Sequence, residues 1–363
     1  MADVEARRDS REWPSVSIVV PILNEEQHLR EAVARLLRQE YDGSLDVVLA
    51  LGPSRDATDE IARELAAGDP RVRLVANPTG ATPAGLNAAI AASAGEVVVR
   101  CDGHALLPPD YVRTAVEALQ RADADNVGGI MAAEGVTDFE CAVARAMTTR
   151  LGVGGASFHV GGVEGEAPTV YLGVFRRSAL ERVGGYDESM VRAQDWEMNH
   201  RIRASGGRVW FTPDLRVTYR PRSTVAALSR QYREYGQWRR VVMRRHPETR
   251  KMPGSLRYLA PPAMVVGVMA GTAAGLLGVA SGRRWLVGGL LAPAGYVALV
   301  GAGAVVLGGG LGARSRAQLP VVFAVMHWSW GVGFLAGPRG RGGPDSSSAP
   351  AAPASVVAPD TIA

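Results

Sequence analysis

The sequence predicts an α/β domain built on a doubly wound parallel sheet, followed by a helical membrane region. Two observations support this prediction. β-Branched segments alternate with segments of helical periodicity four times within residues 15–102, which is typical of a parallel sheet covered by helices. Residues 259–337 are long apolar runs whose charged residues are four arginines, Arg283, Arg284, Arg314 and Arg316. A soluble domain therefore precedes a membrane region.

The individual elements follow from short apolar runs and from capping and turn residues. Strands are predicted within residues 15–26, 45–52, 72–77 and 96–102. Helices are predicted within residues 24–40 (with Asn24 as N-cap), 54–67 and 81–95.

Polar residues follow the ends of these strands. Asn24 and Glu25 follow the first strand, Asp56 the second, and Asp102 and His104 the fourth. Ligands of doubly wound sheets bind beyond the carboxyl ends of the strands, so these side chains are expected to converge on one ligand site. A carboxylate and an imidazole beside substrate phosphates suit Mg²⁺ or Mn²⁺. The Asp-Gly pair at residues 102–103 also fits an ordinary turn.

The second half of the soluble region is less regular. A glycine-rich stretch at 152–173 is typical of a mobile loop near a site. Helices are predicted around 178–183 and 196–204, and two short strands within 208–221. Asp195 stands just before the second of these helices, where it serves either as an N-cap or as a rigid general base. The two roles are compatible.

Three uncharged runs, at 259–280, 285–312 and 319–337, are long enough to predict about three membrane spans. Pro293 interrupts the second run, which a broken or re-entrant helix also explains. Basic residues at 239–257 suit a cytoplasmic membrane surface. The expected domains are a polar extension (1–14), a soluble domain (15–222), a basic amphipathic interfacial helix region (223–257), a membrane region (258–337) and a disordered tail (338–363).

Composition narrows the class of protein. The net charge of +4, without an aromatic-interleaved basic patch, argues against nucleic acid as a partner. The two cysteines form no disulfide framework, which indicates a reducing compartment. The first residues lack the apolar core of a signal peptide, so the soluble domain is expected in the cytoplasm of a multi-pass protein of the inner (plasma) membrane. No G-x-G-x-x-G follows the first strand, which disfavours an oxidoreductase.

Five segments together resemble the inverting family 2 glycosyltransferases with the GT-A fold, and more closely the membrane-bound succinoglycan-type exopolysaccharide glycosyltransferases. The resemblance covers about residues 15–337. The segments that carry it are "SIVVPILNEE", "VVLALGPSRDATDEIA", "NPTGATPAGLNAAIAASAGEVVVRCDGHA", "YLGVFRRSALERVGGYDESMVRAQDWEMNHRIRASGGRVWF" and "HWSWGVGFLAG". Each is weak alone, but their order and spacing are specific.

The resemblance implies roles for individual residues. Asp195 matches the catalytic base, and Asp102 with His104 occupies the Asp-x-Asp metal motif that holds Mg²⁺ or Mn²⁺. The nucleotide-sugar donor, for which a UDP-sugar is expected, would be bound by Pro21, Asn24, Glu25, Asp56, Asn87 and Asp102. The acceptor would be bound by Trp196, Glu197, Gln231 and Trp238.

Three departures from the family pattern qualify these roles. His104 replaces the second Asp of the metal motif, which lowers the negative charge around the ion. Leu51 and Gly52 stand where many relatives have two acidic residues, which weakens the assignment of uracil as the base. Gln231 and Trp238 have the wrong separation for the Gln-x-x-Arg-Trp motif of processive members, so transfer of one sugar per encounter is expected.

The resemblance implies a hexosyltransferase of cell-envelope or exopolysaccharide biosynthesis. Basic residues beside several predicted spans suit a membrane-associated, polyprenyl-linked saccharide as the acceptor, and they equally fit an amphipathic surface helix that only anchors the enzyme. Two alternatives remain open. One is a polyprenyl-phosphate monosaccharide synthase, whose anionic acceptor needs no general base. The other is an inactive membrane scaffold or export component that retains the fold.

Overall fold

The computed structural model describes residues 13–251 and 255–338. Most of the predicted polar extension and nearly all of the predicted disordered tail lie outside the described residues. The soluble part contains one eight-stranded sheet in the order β3-β2-β1-β4-β7-β5-β8-β6. Its strands are β1 Val16–Ile22, β2 Leu45–Leu51, β3 Val72–Ala76, β4 Val97–Arg100, β5 Asn126–Ala133, β6 Gly165–Glu166, β7 Tyr171–Arg176 and β8 Val209–Tyr219.

Helices cover the sheet and continue towards the C-terminus. Those of the soluble part are α1 Leu29–Leu37, α2 Thr58–Gly68, α3 Thr82–Ala91, α4 Tyr111–Arg121, α5 Asp138–Met147, α6 Arg150–Val153, α7 Ser157–Val160, α8 Arg177–Val183, α9 Gln194–Ala204 and α10 Val225–Arg245. Those that follow are α11 Ala260–Ser281, α12 Arg284–Val287, α13 Leu291–Leu307 and α14 Ala313–Ala336, with short 3₁₀ turns at Pro247–Lys251, Ser255–Tyr258 and Gly288–Leu290.

The first half of the sheet has the predicted parallel, doubly wound form. β1 pairs in parallel with both β2 and β4, and β2 with β3. Along β1, Ile18 packs into the apolar cluster on one face and Val19 into the cluster on the other. A strand buried on both faces needs apolar residues, which is why β1, β2 and β4 are rich in Val, Ile and Leu, whereas the edge strand β3 contains the exposed Arg73. The second half is mixed, because β7 is antiparallel to β4 and β5.

Three local predictions were wrong. Residues 209–219 form one strand, β8, rather than two, although its pairing with β5 is irregular between Phe211 and Arg216. Asn24 does not cap α1, which starts five residues later after His28. Asp195 does not cap α9: Ala193 is the N-cap residue, and Asp195 lies in the first turn. In both helices a turn residue with positive φ, Asn24 or Ala193, precedes the helical segment.

The C-terminal helices contain three segments long and apolar enough to cross a membrane, Ala260–Ser281, Arg284–Leu307 and Ala313–Ala336. They differ in how they pack. α14 lies against α10 at glycines: a Cβ on Gly236 would meet the carbonyl oxygen of Trp330 at 2.1 Å, and one on Gly333 would meet that of Arg233 at 2.1 Å. Close helix contact of this kind requires residues without side chains. α11 and α13 instead expose many large apolar residues, among them Leu276, Val297 and Val306.

Candidate functional site

A cavity of about 980 Å³ begins at the carboxyl end of β4 and reaches the C-terminal helices. At the sheet end it is lined by Arg100, Asp102, His104, Gln194 and Asp195. Between the two ends it is lined by side chains that include Arg192, Trp196, Tyr219, Arg222, Gln231, Tyr235, Trp238 and Arg239. At the far end it is lined by residues of α11, α13 and α14, including Met264, Tyr296, Leu299, Met326, His327 and Trp330.

A buried arginine joins the two carboxylates of the sheet end. The Arg100 side chain is 6% exposed, and its guanidinium pairs with Asp195 Oδ1 and, at 3.1 Å, with Asp102 Oδ1. Burial alone would lower the pKa of Arg100, but the Asp102 carboxylate and neighbouring tyrosines raise it above its ordinary value. A buried charge of this kind is stable because it is paired. Arg100 therefore holds the predicted base and the predicted metal ligand side by side.

His104 is oriented by a carboxylate. Its Nδ1 lies 2.8 Å from Glu25 Oε1, so the structure brings together a residue predicted for the metal and one predicted for the nucleotide. The hydrogen bond to Glu25 raises the pKa of His104, although burial opposes the shift. Pairing with a carboxylate raises the basicity of an imidazole ligand and leaves its other nitrogen, Nε2, for a metal ion.

Asn24 and Asp56 organise the turns that face each other after β1 and β2. The side-chain oxygen of Asn24, Oδ1, accepts a hydrogen bond from the backbone N–H of Arg55 (2.9 Å), and the backbone N–H of Asn24 donates to Ser54 Oγ (3.1 Å). Asp56 accepts from both the amide and the hydroxyl of Thr58, and the hydroxyl bond is the main cause of its lowered pKa. These side chains fix the backbone beside the cavity and do not line it.

Two residues predicted for donor binding occupy structural positions. Pro21 lies within β1, opposite Ala50 of β2. Asn87, on α3, exchanges two 2.8 Å hydrogen bonds with the backbone of Tyr186 and donates to Glu188 Oε1 (3.0 Å). Neither residue lines the cavity. Asn87 anchors the segment that leads to Asp195.

The residues predicted for the acceptor divide into two groups. Trp196, Gln231 and Trp238 line the cavity, and Trp196 and Trp238 pack in one apolar cluster with Met190. Glu197 does not line the cavity: its side chain is 3% exposed and both of its oxygens accept hydrogen bonds from Arg201 at 2.7 Å.

Gln231 has one free acceptor atom. Its amide nitrogen donates to the hydroxyls of Tyr219 (2.8 Å) and Tyr235 (2.9 Å). Its carbonyl oxygen, Oε1, is buried and has no hydrogen-bond partner within the described part of the chain. A buried acceptor without a partner is costly, so this oxygen is suited to a hydroxyl group of a ligand.

Arginines surround the passage between the two ends. Arg239 is stacked on the rings of Trp196 (4.8 Å) and Tyr258 (4.0 Å), and Arg257 also lies over Tyr258 (4.8 Å). Burial lowers the pKa of Arg239. One guanidinium group can bind two oxygens of a phosphate through parallel N–H donors, so this passage is suited to a phosphate or diphosphate.

Sequence reasoning missed Arg100 and Arg239. The available signal for Arg100 was its position at the end of a strand that otherwise consists of valines. A charged residue buried at such a position must have a partner. No comparable signal marked Arg239, because it lies in a segment crowded with arginines.

Comparisons with known proteins identify the family of this chain. The profile described as "Glycosyl transferase family 2" matches residues 17–184. The succinoglycan biosynthesis protein ExoA of Rhizobium meliloti (strain 1021) is 34% identical over 328 residues, which cover 87% of this chain and 93% of that protein. A dolichyl N-acetyl-α-D-glucosaminyl phosphate 3-β-D-2,3-diacetamido-2,3-dideoxy-β-D-glucuronosyltransferase of Methanococcus voltae is 22% identical over 63% of this chain and 74% of its own length.

The fold also matches a solved structure. The mannosyltransferase PcManGT from Pyrobaculum calidifontis, in complex with GDP-Man and Mn²⁺, superimposes with a TM-score of 0.56 at 21% identity. The match covers 89% of this chain and 91% of that one. It supports the predicted combination of a GT-A domain and C-terminal helices.

Proposed function

We propose a specific reaction for this chain, which belongs to glycosyl transferase family 2 and is a glycosyltransferase. It transfers a sugar from a nucleotide-diphosphate sugar to a polyprenyl-linked saccharide, with inversion at the anomeric carbon. One observation carries the proposal. A single cavity connects Asp102 and Asp195 with side chains of the apolar C-terminal helices. A water-soluble donor and a membrane-anchored acceptor can therefore meet in one continuous cavity.

The donor occupies the sheet end in this proposal. Doubly wound sheets bind nucleotides at this edge, and the turns fixed by Asn24 and Asp56 lie there. Asp102 and His104 fit a divalent ion, since one offers a carboxylate and the other an imidazole nitrogen left available by Glu25. When bound, Mg²⁺ or Mn²⁺ neutralises the negative charge of the leaving diphosphate. PcManGT was solved with Mn²⁺ and GDP-Man, which supports this assignment.

Asp195 is the general base. Arg100 pairs with Asp195 through Oδ1, so Oδ2 is the oxygen left to accept a proton from the acceptor hydroxyl. The hydroxyl oxygen then attacks the anomeric carbon as the bond to the diphosphate breaks, and the configuration inverts. The ion pair restrains the carboxylate, and restraint in a productive orientation is what a general base requires.

The acceptor enters from the membrane end. Arg239 and Arg257 would pair with its diphosphate, and Gln231 Oε1, a buried acceptor without a partner in the described chain, would accept a hydrogen bond from its sugar. The polyprenyl chain would lie along Met264, Leu299 and Met326. The Methanococcus voltae relative is named for a dolichyl-linked acceptor, which supports an acceptor of this class.

We place two of the three apolar helices across the membrane and the third along the catalytic domain. Near the start of α14, Ser315 Oγ donates to Asp138 Oδ1 (2.9 Å). Near its end, the Phe334 carbonyl accepts from Arg240 (3.1 Å). Both partners belong to the catalytic domain side, and the arginine-rich α10 beside α14 cannot enter hydrocarbon. The hairpin of α11 and α13 then crosses and returns.

A reporter tests this topology. With two crossings, a fluorescent protein fused after residue 363 lies on the same side as the catalytic domain, and that side is cytoplasmic because arginines concentrate there. Protease or impermeant-label protection of the fusion in intact cells would support two crossings. Accessibility from outside would support three.

The activity itself is tested with the full-length purified protein. Release of nucleoside diphosphate is measured across a panel of UDP- and GDP-sugars with Mg²⁺ or Mn²⁺, with and without polyprenyl-linked saccharides. We expect release from one donor that depends on metal and lipid, with inverted configuration in the product by NMR. Transfer to a bare polyprenyl phosphate would instead indicate a monosaccharide synthase. No donor binding at all would indicate the scaffold.

A further inference from the structure

A second group of ligand-type side chains lies outside the cavity. It consists of His200 on α9, His246 at the end of α10, and Glu248 in the following 3₁₀ turn. One possible ligand atom from each residue lies within 4.8 Å of the others. The family reaction described above uses none of these residues.

The distances within this group suit a transition metal. Glu248 Oε1 lies 2.9 Å from His200 Nε2 and 3.5 Å from His246 Nδ1. With metal–ligand bonds of about 2.0 Å, two ligands of a tetrahedral ion are separated by about 3.3 Å. The two measured distances fall on either side of this value, and the two imidazole nitrogens lie within 4.8 Å of each other. An ion therefore fits once the imidazoles and the exposed Glu248 side chain move towards it.

The surroundings orient the ligands. The ring of His200 is stacked on Trp196, 5.4 Å between centroids, and its side chain is 11% exposed. The second nitrogen of His246, Nε2, is buried and makes no hydrogen bond within the described chain, and Glu197 Oε1 lies 3.5 Å from it. A carboxylate behind the non-ligating nitrogen of a histidine is the usual outer partner of a metal-bound imidazole.

We propose that His200, His246 and Glu248 bind a divalent transition-metal ion of the Zn²⁺ class, with water as the fourth ligand. Two imidazoles and a carboxylate favour Zn²⁺ over Mg²⁺, which prefers oxygen ligands throughout. The ion joins α9, the helix that carries Asp195, to the turn that leads into the membrane hairpin. It is therefore a structural clamp between the catalytic helix and the end of α10, separate from the ion at Asp102.

The test is zinc binding by the full-length protein, stripped with chelator and titrated with Zn²⁺ in excess Mg²⁺. Excess Mg²⁺ occupies oxygen-rich sites and competes weakly for imidazole nitrogen. We expect one tightly bound zinc ion per chain. Because loss of an outer-shell partner alone weakens a metal site by about 10- to 100-fold, Glu248→Gln and His246→Ala should weaken binding at least that much.

Three variants serve as controls. Glu181→Gln makes the same chemical change on an exposed helix surface, and His28→Ala removes an exposed histidine elsewhere. Both should bind zinc like the unmodified chain, as should Asp102→Ala, which removes the other metal site. Unchanged zinc affinity in Glu248→Gln and His246→Ala would overturn the proposal, as would loss in Asp102→Ala alone.

Cobalt gives an independent readout if a variant folds poorly. Co²⁺ bound to the unmodified chain should show the visible absorption of a four-coordinate ion and should be displaced by Zn²⁺. Zinc should also raise the thermal unfolding midpoint of the unmodified chain and not that of Glu248→Gln, since a ligand that binds the folded state stabilises it. An octahedral cobalt spectrum with no thermal shift would contradict the site.

Discussion

The two ends of the cavity are built by different rules. The sheet end places charged groups around a buried guanidinium, with Asp102 and Asp195 both paired to Arg100. The membrane end is lined by Met264, Leu299 and other side chains of apolar helices. One end can polarise a bond, and the other can hold a hydrocarbon chain. The comparison indicates that chemistry and acceptor recognition are separable, so a substitution at one end should leave the function of the other end intact.

The largest effect is expected from Asp195→Asn. The amide keeps the shape and can still accept from Arg100, but it cannot take a proton, so transfer should fall by about 10²- to 10⁴-fold. Donor affinity should change little. The measurement is nucleoside-diphosphate release beside donor binding by calorimetry, with the exposed Asp214→Asn as the matched control. An equal loss of donor affinity would show that Asp195 binds the donor, and retained activity would favour the phosphate-acceptor synthase.

Arg100→Met should have the next largest effect. Without the guanidinium, the two carboxylates repel each other and lose their orientation, and displacement of about 1 Å costs about 10²-fold in rate. Arg100 acts through the carboxylates, so it is a positioning residue. Arg100→Lys should recover part of the activity, because it restores the charge but not the fork that reaches both partners.

The control for this change is Arg73→Met, which removes an ion pair with Asp46 elsewhere on the sheet. It should leave turnover unchanged. If Arg100→Lys is as inactive as Arg100→Met while both fold with unchanged thermal midpoints, the arginine does more than position the carboxylates. If Arg100→Met is fully active, the sheet end does not work as described.

Arg239→Met acts on the passage to the membrane end. It should raise the KM for the lipid-linked acceptor by about 10- to 100-fold, which corresponds to loss of a charged hydrogen bond of about 1.5–3 kcal/mol. The KM for the donor should not change. Arg244→Met, an exposed arginine of the same helix, is the control. A rise in donor KM instead would place the nucleotide diphosphate in this passage.

The smallest effect concerns His159, which lines the cavity near Arg257. Burial lowers the pKa of His159 to about 3, and the charge of Arg257 adds to the shift. Below about pH 6.5 the unfolded chain binds a proton that the folded chain does not, so this residue reduces stability as pH falls. His159→Leu should reduce the pH dependence of the free energy of unfolding between about pH 3 and pH 6.5, by at most about 1.4 kcal/mol per pH unit. The measurement is chemical denaturation at several pH values.

Identical acid sensitivity in the two proteins would mean that His159 is solvated in the folded state. The membrane end would then contain water at this point. The matched control is His28→Leu, which makes the same substitution at an exposed histidine elsewhere in the domain.

The first half of the sheet could be read from the sequence because its information is local. Strands β1, β2 and β4 are mainly apolar runs, and the helices between the strands repeat apolar residues at helical spacing. The single long β8 was not predictable in the same way. Pro213 and Asp214 interrupt its pattern, and its continuity depends on pairing with β5, which is distant in sequence.

The candidate site shows the same division. Asp102, His104 and Asp195 were identified as polar residues beside predicted elements and by the family resemblance. The bridge from Arg100 to Asp195 spans 95 positions, so no local pattern contains it. Asn87 and Glu197 have the residue types of binding groups, yet their hydrogen-bonding capacity is used by Tyr186 and Arg201. Such partners are known only once the chain is folded.

The central claim is that one cavity serves a soluble donor and a membrane-anchored acceptor. The most direct measurement compares kcat/KM for the same saccharide diphosphate with and without its polyprenyl chain. The account predicts that removing the chain lowers kcat/KM steeply while metal-dependent donor binding is unchanged. Equal kcat/KM for the two acceptors would contradict it, because the apolar end of the cavity would then have no part in the reaction.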